Sequence, residues 1–499
     1  MNLRSLLNRE LLRKLTIIES LYYSKEAVSV DQIQELNHCS GPVVLNDVAS
    51  INDSLDFFSI EKKNNSFKLN RPDYVGIDTA YAYFLSQSIE FQLLELLLYE
   101  KFPTVKRAAN YLFISIPSAH RILNRLSECL RPWNITIQKM PLRMVGNEAM
   151  IRHLFYLYYR EKKVSVKQLY PREETAAAAQ FIIHAFKEAN GFTHSSVMQL
   201  RLLYNFHISF LRLKNDHPFE EKTLETQSIC SPVHKLNDQY ASIIRQEYGI
   251  EWSPDIEKEC LWLYYGKYII YTKKQLEIAQ KESKSIDEIS DNTDKYLIYL
   301  KRNLQVNWTE DQYIHLKTTI LNELIIYRPT RDFLYLIATQ RYNFVSTMEE
   351  RYPCQIQRLF KIYQRFLVEN ELEVAEDGVF NQIYILLTSC PNILEKLSYY
   401  KKKIHLLIIS IISPTHEHFL SSYLRNNLMG NYEISHVNLY DYPEKEWRKI
   451  IQAYDLILTS FTLSISNVTK PILAVESYPS ADRLKKIQRT IMELAEREQ

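Results

Sequence analysis

Apolar residues recur at helical spacing over the first fifty-five residues, and the spacing then changes to strict alternation. The helical positions are Leu11, Leu12, Leu15, Ile18 and Leu21, then Val30, Ile33 and Leu36, then Val43, Val44, Leu45, Val48 and Ile51. Ser29 is a suitable N-cap for the second helix, and the third should end near Leu55. Alternation over 57–69 predicts a β-hairpin. Helix, helix, turn, helix and hairpin is the element order of a winged helix-turn-helix.

The same order of elements recurs from residue 88. A first helix is predicted over 89–97, and Thr104 should cap a second that runs to Leu112. Pro117 stands in the first turn of a third helix that reaches about Leu130. The inward-facing positions of that helix are Ala119, Ile122, Leu123 and Leu126. A hairpin over 135–146 follows as the wing, with its tip at Lys139, Met140 and Pro141.

Long amphipathic helices dominate the middle of the chain. Helices are predicted over 175–190, closed by Gly191, and over 197–214. Two blocks of similar size, 171–290 and 291–398, are joined by a polar stretch at 281–294. Beyond residue 403, strands alternate with helices, which predicts a small parallel sheet. Its strands are placed at 404–412, 432–439, 455–460 and 471–475, and its helices at 416–428, 444–453 and 480–497.

The charge is concentrated in the second helix-turn-helix. Residues 100–170 hold thirteen Lys and Arg against four Glu, a net +9, whereas the whole chain carries +2. A basic block confined to one module is the electrostatic signature of a polyanion-binding protein. The third helix of the first module is instead poor in bases and carries Asp47, Asp53 and Asp56. That first module therefore has two open interpretations, DNA contact or packing.

The exposed face of the helix over 117–130 carries the side chains suited to base contacts. Arg and Asn make bidentate hydrogen bonds to guanine and adenine in the major groove. The DNA-binding candidates on this face are Ser118, His120, Arg121, Asn124 and Arg125. Of these, Arg121, Asn124 and Arg125 are predicted to enter the groove, while Lys106, Arg107, Lys139 and Arg143 are predicted to contact the DNA backbone. The alternative is a solvated basic face.

Composition excludes several other classes. The eight glycines are too scattered for a Walker A or dinucleotide-binding loop. The six cysteines show no zinc spacing, so we expect no metal site and no cofactor. No apolar run reaches the length of a membrane span, which predicts a cytoplasmic protein with no membrane partner. We expect the protein not to be an enzyme.

The order of modules resembles the Mga/AtxA family of Gram-positive virulence regulators. Besides the two helix-turn-helix modules, the resemblance is carried by Leu142, Arg143, Met144, Val145, Gly146, Asn147 and Glu148, followed by Ile151 and Arg152. It implies a mainly α, multidomain fold. The implied domains are winged helix-turn-helix modules at 1–72 and 73–170, helical-bundle phosphotransferase regulation domains at 171–290 and 291–398, and an α/β enzyme IIB-like module at 399–499.

By that resemblance the protein is a DNA-binding transcriptional regulator, a global or virulence activator. Its implied partners are double-stranded promoter DNA, RNA polymerase, a second copy of the chain held through the last module, and a phosphotransferase-system phosphocarrier protein. His207 and His315, each on an early helix of its block, are the implied phosphorylation sites. A structural role for either histidine is the alternative.

The IIB-like module departs from the catalytic pattern of transferring IIB domains. The loop over 410–415, after its first strand, has no cysteine nucleophile. His416 and His418 lie just beyond, but positions i and i+2 of a helix face different directions, so a metal or phosphoryl site is disfavoured. Three alternative functions remain. They are an RNA-binding antiterminator with regulation domains, a phosphotransferase enzyme component, and a scaffold that binds no DNA.

Overall fold

The computed structural model of the chain describes residues 3–24, 27–192, 196–220, 224, 229–231, 238–304, 306–327, 334–398, 402–437, 439–463 and 468–496. The chain forms two compact units. Unit 1 comprises Met1–Ser290 and Ile320–Gln340, and unit 2 comprises Asp291–Thr319 and Arg341–Gln499. The five predicted domains are finer than this division, so their boundaries stay predictions.

The chain opens with a 3-10 turn, Leu3–Leu6, and the predicted helices and hairpin follow. They are α1 (Arg9–Tyr23), β1 (Val28–Ser29), α2 (Val30–Asn37), α3 (Gly41–Ser54), β2 (Ser59–Lys63) and β3 (Ser66–Asn70). The predicted N-cap is confirmed, because the Ser29 hydroxyl accepts the Gln32 N–H at 3.2 Å. The strands form an antiparallel sheet in the order β1-β3-β2. The side-chain amide of Asn52 on α3 accepts the N–H of Ile60 on β2 and donates to the Ile60 carbonyl, so the hairpin is attached to the helix.

A second set of helices and a second hairpin come next. They are α4 (Asp78–Gln87), α5 (Ile89–Tyr99), α6 (Val105–Tyr111), α7 (Ile116–Leu130), β4 (Ile135–Lys139), β5 (Leu142–Gly146) and α8 (Glu148–Glu161). The predicted inward positions of α7 are confirmed, since Ala119, Ile122, Leu123 and Leu126 are all buried. α8 is buried over almost its whole length, so it lies in the core of unit 1.

The helical blocks begin with α9 and extend to α21. They comprise α9 (Val166–Leu169), α10 (Glu173–Asn190), α11 (Ser196–Lys214), α12 (Asp238–Tyr248), α13 (Pro254–Cys260), α14 (Trp262–Tyr265), α15 (Lys273–Glu282), α16 (Lys284–Leu304), α17 (Glu310–Ile325), α18 (Gln340–Arg351), α19 (Pro353–Glu369), α20 (Glu376–Ser389) and α21 (Ile393–Ser398). Gly191 ends α10 at φ +64°, as predicted. Among the described residues, no helix is both long enough and apolar enough to cross a membrane.

The polar stretch at 281–294, predicted to join the two helical blocks, is not an irregular linker in the structure. This stretch is helical apart from Ser283, and the boundary between the two units falls inside α16, between Ser290 and Asp291. Its composition is polar, but Ile286 and Ser290 are four residues apart and both fully buried. One buried face is enough to hold a polar segment as an amphipathic helix.

A returning segment after α17 completes unit 1. The buried Glu161 carboxylate, at the end of α8, accepts the N–H groups of Ile337 and Ala338 at 3.0 and 2.9 Å. The Leu3 N–H donates to the Tyr335 carbonyl at 2.9 Å. Residues 334–338 are therefore joined both to the chain start and to the end of α8.

Unit 2 ends in the predicted parallel sheet. Its elements are β6 (Ile404–Ile409), α22 (Pro414–Asn427), β7 (Tyr432–His436), α23 (Glu444–Gln452), β8 (Leu456–Thr459), β9 (Ile472–Ala474) and α24 (Ala481–Glu496). The strands are all parallel in the order β7-β6-β8-β9, so the buried β6 is central. The predicted helix over 480–497 begins one residue later, and residue 497 lies outside the described part of the chain.

Candidate nucleic-acid interface

Two capped helices and a tight turn position the exposed face of α7. The Thr104 hydroxyl accepts the Arg107 N–H at the start of α6, and the Ser115 hydroxyl accepts the Ser118 N–H at 3.2 Å at the start of α7. Phe113 lies in the turn between them at φ +55° with its side chain 96% exposed. The buried small residues Ala108 and Ala109 allow α6 and α7 to approach closely.

The wing is held against both helices. β4 and β5 pair antiparallel from Ile135↔Gly146 to Lys139↔Leu142. The Leu142 N–H donates to the Pro103 carbonyl at 3.0 Å, just before α6. At the tip, Lys139 Nζ donates to Asn124 Oδ1 of α7 at 2.8 Å. The wing tip is thereby attached to the exposed face of α7.

The predicted DNA-contacting residues differ in exposure. Arg121, Asn124, Lys106, Arg107 and Lys139 are exposed, and Ser118, His120, Arg125 and Arg143 are half-buried. Arg125 donates to the Ser5 carbonyl in the 3-10 turn at the chain start. Arg143 Nε donates to Gln138 Oε1 across the hairpin at 2.8 Å. Arg121 and Asn124 therefore form the exposed pair on α7, whereas Arg125 contacts protein.

The positive charge of residues 100–170 divides into two groups. The group that follows residue 148 is largely paired with acids: Arg152 with Glu148 and Glu259, Lys162 with Glu95, and Lys163 with Asp78. The bases before residue 148 make no ion pair with any residue that the structure describes, and they are Lys101, Lys106, Arg107, Arg121, Arg125, Arg131, Lys139 and Arg143. The uncompensated charge thus lies on the helix-turn-helix and its wing.

Gly146 closes the wing at a position where a side chain cannot fit. Its φ is +129°, and a Cβ there would lie 2.0 Å from the Asn134 carbonyl oxygen. The next residue, Asn147, caps α8 through the Met150 N–H at 3.2 Å. The sequence phrase 142–148 is therefore a joint between the wing and the core helix α8.

A buried charge network behind the wing was not predicted from the sequence. The Arg152 side chain is fully buried and binds Glu148, the Ser209 hydroxyl and both the backbone and the carboxylate of Glu259, at 2.7–3.1 Å. Its guanidinium also lies 4.3 Å from the centre of the Phe219 ring. The only sequence signal was the i, i+4 spacing of Glu148 and Arg152 on α8.

A second buried arginine extends the network to the wing. Arg212 of α11 binds Glu148 at 2.8 and 3.0 Å and the Met144 carbonyl of β5 at 3.1 Å. Burial alone would raise the pKa of Glu148, but Arg152 and Arg212 hold that pKa below its ordinary value. Glu100, at the end of α5, accepts from His217. Helices α5, α8, α11 and α13 and the wing thus share one ionic cluster.

The acids of the first helix-turn-helix divide as well. Asp47 of α3 is buried, and its carboxylate accepts two hydrogen bonds from Arg13 of α1, at 2.6 and 3.0 Å. Asp53 and Asp56 remain exposed. The ion pair gives Asp47 a packing role, whereas the contribution of this module to DNA contact stays a prediction.

The two predicted phosphorylation sites lie in contrasting environments. His207 is buried among the rings of Tyr159, Tyr170 and Tyr248, with Nδ1 3.2 Å from the Tyr248 hydroxyl. Burial lowers its pKa to about 4, so the ring is neutral at pH 7. His315 is exposed on α17. A phosphoryl donor could reach His315 directly, but His207 only if α11 were uncovered.

The loop after β6 has its backbone donors already occupied. The Ser410 N–H donates to Glu417 Oε1 at 2.9 Å, the Ile411 N–H to the Ser460 hydroxyl at 3.3 Å, and the Ile412 N–H to the Ser410 hydroxyl at 3.2 Å. A loop that binds a phosphoryl group presents such N–H groups to the anion. Here they are satisfied by the loop and its neighbours.

The two histidines that follow this loop have different partners. His416 lies between the Ser410 hydroxyl at 3.1 Å and the Ser477 carbonyl at 2.7 Å. The exposed His418 ring lies 5.6 Å from that of His436. Their different surroundings agree with the expectation that i and i+2 face different directions.

Known proteins match this chain in the same region and beyond it. Residues 73–159 match the family described as Mga helix-turn-helix domain. A "Putative trans-acting regulator" of Streptococcus pneumoniae serotype 4 is 21% identical over 482 residues, which cover 92% of this chain and 93% of that protein. The capsule synthesis positive regulator AcpA of Bacillus anthracis is 25% identical over 213 residues, which cover 42% of this chain and 44% of AcpA.

The capsule synthesis positive regulator AcpB of the same organism is 22% identical over 155 residues, which cover 31% of this chain and 32% of AcpB. These matches confirm the resemblance to Mga/AtxA-type regulators that the sequence indicated. Together with the helix-turn-helix domain they support a transcriptional regulator.

Proposed function

We propose that this regulator of the Mga/AtxA type binds duplex promoter DNA through α7 and the wing and activates transcription. The observation that carries the proposal is the sorting of charge. Residues 104–146 hold seven bases and one acid, Glu128, and none of those bases is ion-paired within the described chain. A surface that a protein keeps positive and unpaired suits the phosphate backbone.

The geometry of α7 suits direct contact with bases. Arg121 and Asn124 are three residues apart, so they share one exposed face of a fifteen-residue helix. A helix of that size fits the major groove, where Arg pairs with guanine and Asn with adenine. Lys106 and Arg107 on α6 and Lys139 on the wing would then contact phosphates on either side.

The test is a salt titration with a duplex selected by the wild-type chain from a randomised pool, beside a structured RNA of equal length. Arg121→Ala should weaken binding to the selected duplex by about 1–3 kcal/mol. Arg131→Ala is the matched control, because it removes the same charge about 15 Å further along the axis of α7, just past the end of that helix. It should reduce binding to all duplexes alike.

Preference for DNA with a steep salt slope, weakened selectively by Arg121→Ala, is the expected result. Equal binding to DNA and RNA, or equal effects of the two substitutions on selected and random duplexes, would contradict the proposed interface. Activation is proposed from the names of AcpA and AcpB as positive regulators, and contact with RNA polymerase is proposed because an activator acts on initiation at the promoter. In vitro transcription from a selected promoter measures them, and lower output with the wild-type chain would make it a repressor.

We assign the dimer contact to the α/β module of unit 2. An aromatic cluster there consists of the exposed Phe419 on α22, the exposed Tyr478 and the half-buried Tyr423 of α22, with the Tyr423 and Tyr478 rings 4.7 Å apart. Clustered exposed aromatic side chains are typical of protein interfaces. A second copy of the chain is the proposed occupant.

Sedimentation of Phe419→Ser/Tyr478→Ser should show monomers, while Val368→Ser, exposed on α19, should leave dimers intact. If Phe419→Ser/Tyr478→Ser still forms dimers but deletion of 404–499 abolishes them, the α/β module forms the dimer contact through a surface other than the aromatic cluster. Dimers that survive the deletion would place the contact in the helical blocks.

We propose His315 as the phosphorylation site accessible to a phosphocarrier protein. Its exposure on α17 supports this, and the burial of His207 argues that the latter is reached only after a rearrangement. Incubation with a labelled, phosphorylated phosphocarrier should label the wild-type chain and His207→Asn but not His315→Asn. Label retained on His315→Asn would contradict the assignment.

A further inference from the structure

The wing tip carries a large apolar side chain that the fold does not use. Met140 lies between β4 and β5 with 83% of its side chain exposed, and the adjacent Pro141 is exposed as well. Short hairpin connections are normally made by Asn, Asp or Gly, so the turn itself does not require methionine.

The surroundings of Met140 indicate a polyanion rather than another protein. Lys139 and Arg143 flank the tip in sequence, and neither forms an ion pair with a described residue. The hydrogen bond from Lys139 to Asn124 keeps the tip beside the exposed face of α7. With α7 in a major groove, the tip would meet the neighbouring minor groove.

We propose that Met140, supported by Pro141, inserts between base pairs from the minor groove as an apolar wedge. This inference rests on the proposed DNA binding and adds how the site selects its DNA. Proteins that insert Met, Leu, Phe or Pro in this way unstack a base step and bend the duplex. The energy depends on the step, because pyrimidine–purine steps kink readily and A-tracts resist.

The wedge and its basic flanks have separable roles. Met140 contributes selectivity for DNA that kinks, since insertion is easiest where stacking is weakest. Lys139 contributes electrostatic affinity for any duplex. The chain would thereby recognise positions whose base edges it does not contact.

The test uses the full-length chain and a selected duplex carrying a donor and an acceptor dye at its ends. Wild-type protein should bend the duplex by roughly 20–90° and should bind a version with a TA step under the wing more tightly than one with an A-tract there. Met140→Ser should lose most of the bend and bring the two affinities toward equality, with an unchanged salt slope. Met140→Leu should retain the bend.

Lys106→Gln is the matched control, because it removes one proposed phosphate contact and leaves the hydrogen bond from Lys139 to Asn124 in place. It should keep the bend and lower the salt slope by about 0.9, the value for one phosphate contact. An equal bend with Met140→Ser, or no bend by the wild type on a duplex that it binds, would overturn the wedge and leave DNA binding standing. No binding of the wild type to any duplex would overturn both.

Discussion

Replacing Arg152 by methionine should strongly destabilise unit 1. Methionine fills much of the same space, but it carries no charge, so the carboxylates of Glu148 and Glu259 lose a partner inside the core. Removal of one member of a buried ion pair costs about 3–5 kcal/mol, because the remaining charge stays desolvated. Arg212 still neutralises part of Glu148, so most of the loss should come from Glu259.

Urea unfolding followed by tryptophan fluorescence measures the effect. If the free energy of unfolding falls by about 3 kcal/mol per M of urea, the midpoint for unfolding of unit 1 should fall by roughly 1 M or more. Lys163→Met is the matched control, since it removes a positive charge from an ion pair whose side chains are 47% and 43% exposed. That loss should stay within about 1 kcal/mol.

A second substitution separates the charge from the packing. In Arg152→Met/Glu259→Met both buried charges are gone, so part of the lost stability should return. A midpoint for Arg152→Met no lower than that of Lys163→Met would refute the argument that this network stabilises the fold. The argument would also be refuted if Arg152→Met/Glu259→Met unfolded at a lower midpoint than Arg152→Met.

Two further predictions concern local features of unit 1. The pKa of His207 is lowered from 6.5 to about 4 by burial, so its contribution to stability is fully present above pH 6.5 and is lost as the pH falls toward 4. The free energy of unfolding should fall by about 3 kcal/mol over this pH range. His207→Gln should remove this part of the pH dependence of unfolding, whereas His184→Gln, at an exposed histidine, should not. Parallel plots of unfolding free energy against pH for wild type and His207→Gln would contradict the prediction. Gly146→Ala should lower the unfolding midpoint more than Gly191→Ala, because both glycines have positive φ but, of the two, only Gly146 lacks room for a Cβ. At Gly191 the alanine should cost only the strain of the left-handed conformation, about 1 kcal/mol. Equal shifts of the midpoint would show that the Asn134 carbonyl moves aside.

The local elements were predictable because each depends on neighbouring residues. Ser29, Thr104 and Gly191 mark helix ends through bonds or dihedrals that involve the next few positions. The alternation of the wing and the positions of the C-terminal strands along the chain follow from patterns of the same short range. The exposed face of α7 was equally accessible, since its apolar positions fix which residues remain outside.

Contacts between distant residues were not predictable from one sequence. Arg152 was counted with the basic surface, yet its partner Glu259 lies 107 residues away and makes it part of the core. Arg125 was assigned to the groove, but the structure brings the Ser5 carbonyl to it over a separation of 120 residues. The helical structure of the polar stretch at 281–294 did not follow from its composition, because its buried side, which includes Ile286, is narrow.

The attachment of Glu161 to residues 337 and 338 has a consequence for synthesis of the chain. The carboxylate and its first backbone donor are 176 residues apart. At about 5–20 residues per second, a ribosome needs roughly 10–35 s to make the intervening chain. For that time the end of α8 lacks the N–H groups that satisfy its buried carboxylate. The second helix-turn-helix module, although it is made well before residues 337 and 338, can reach its final state only after most of the helical region has been translated.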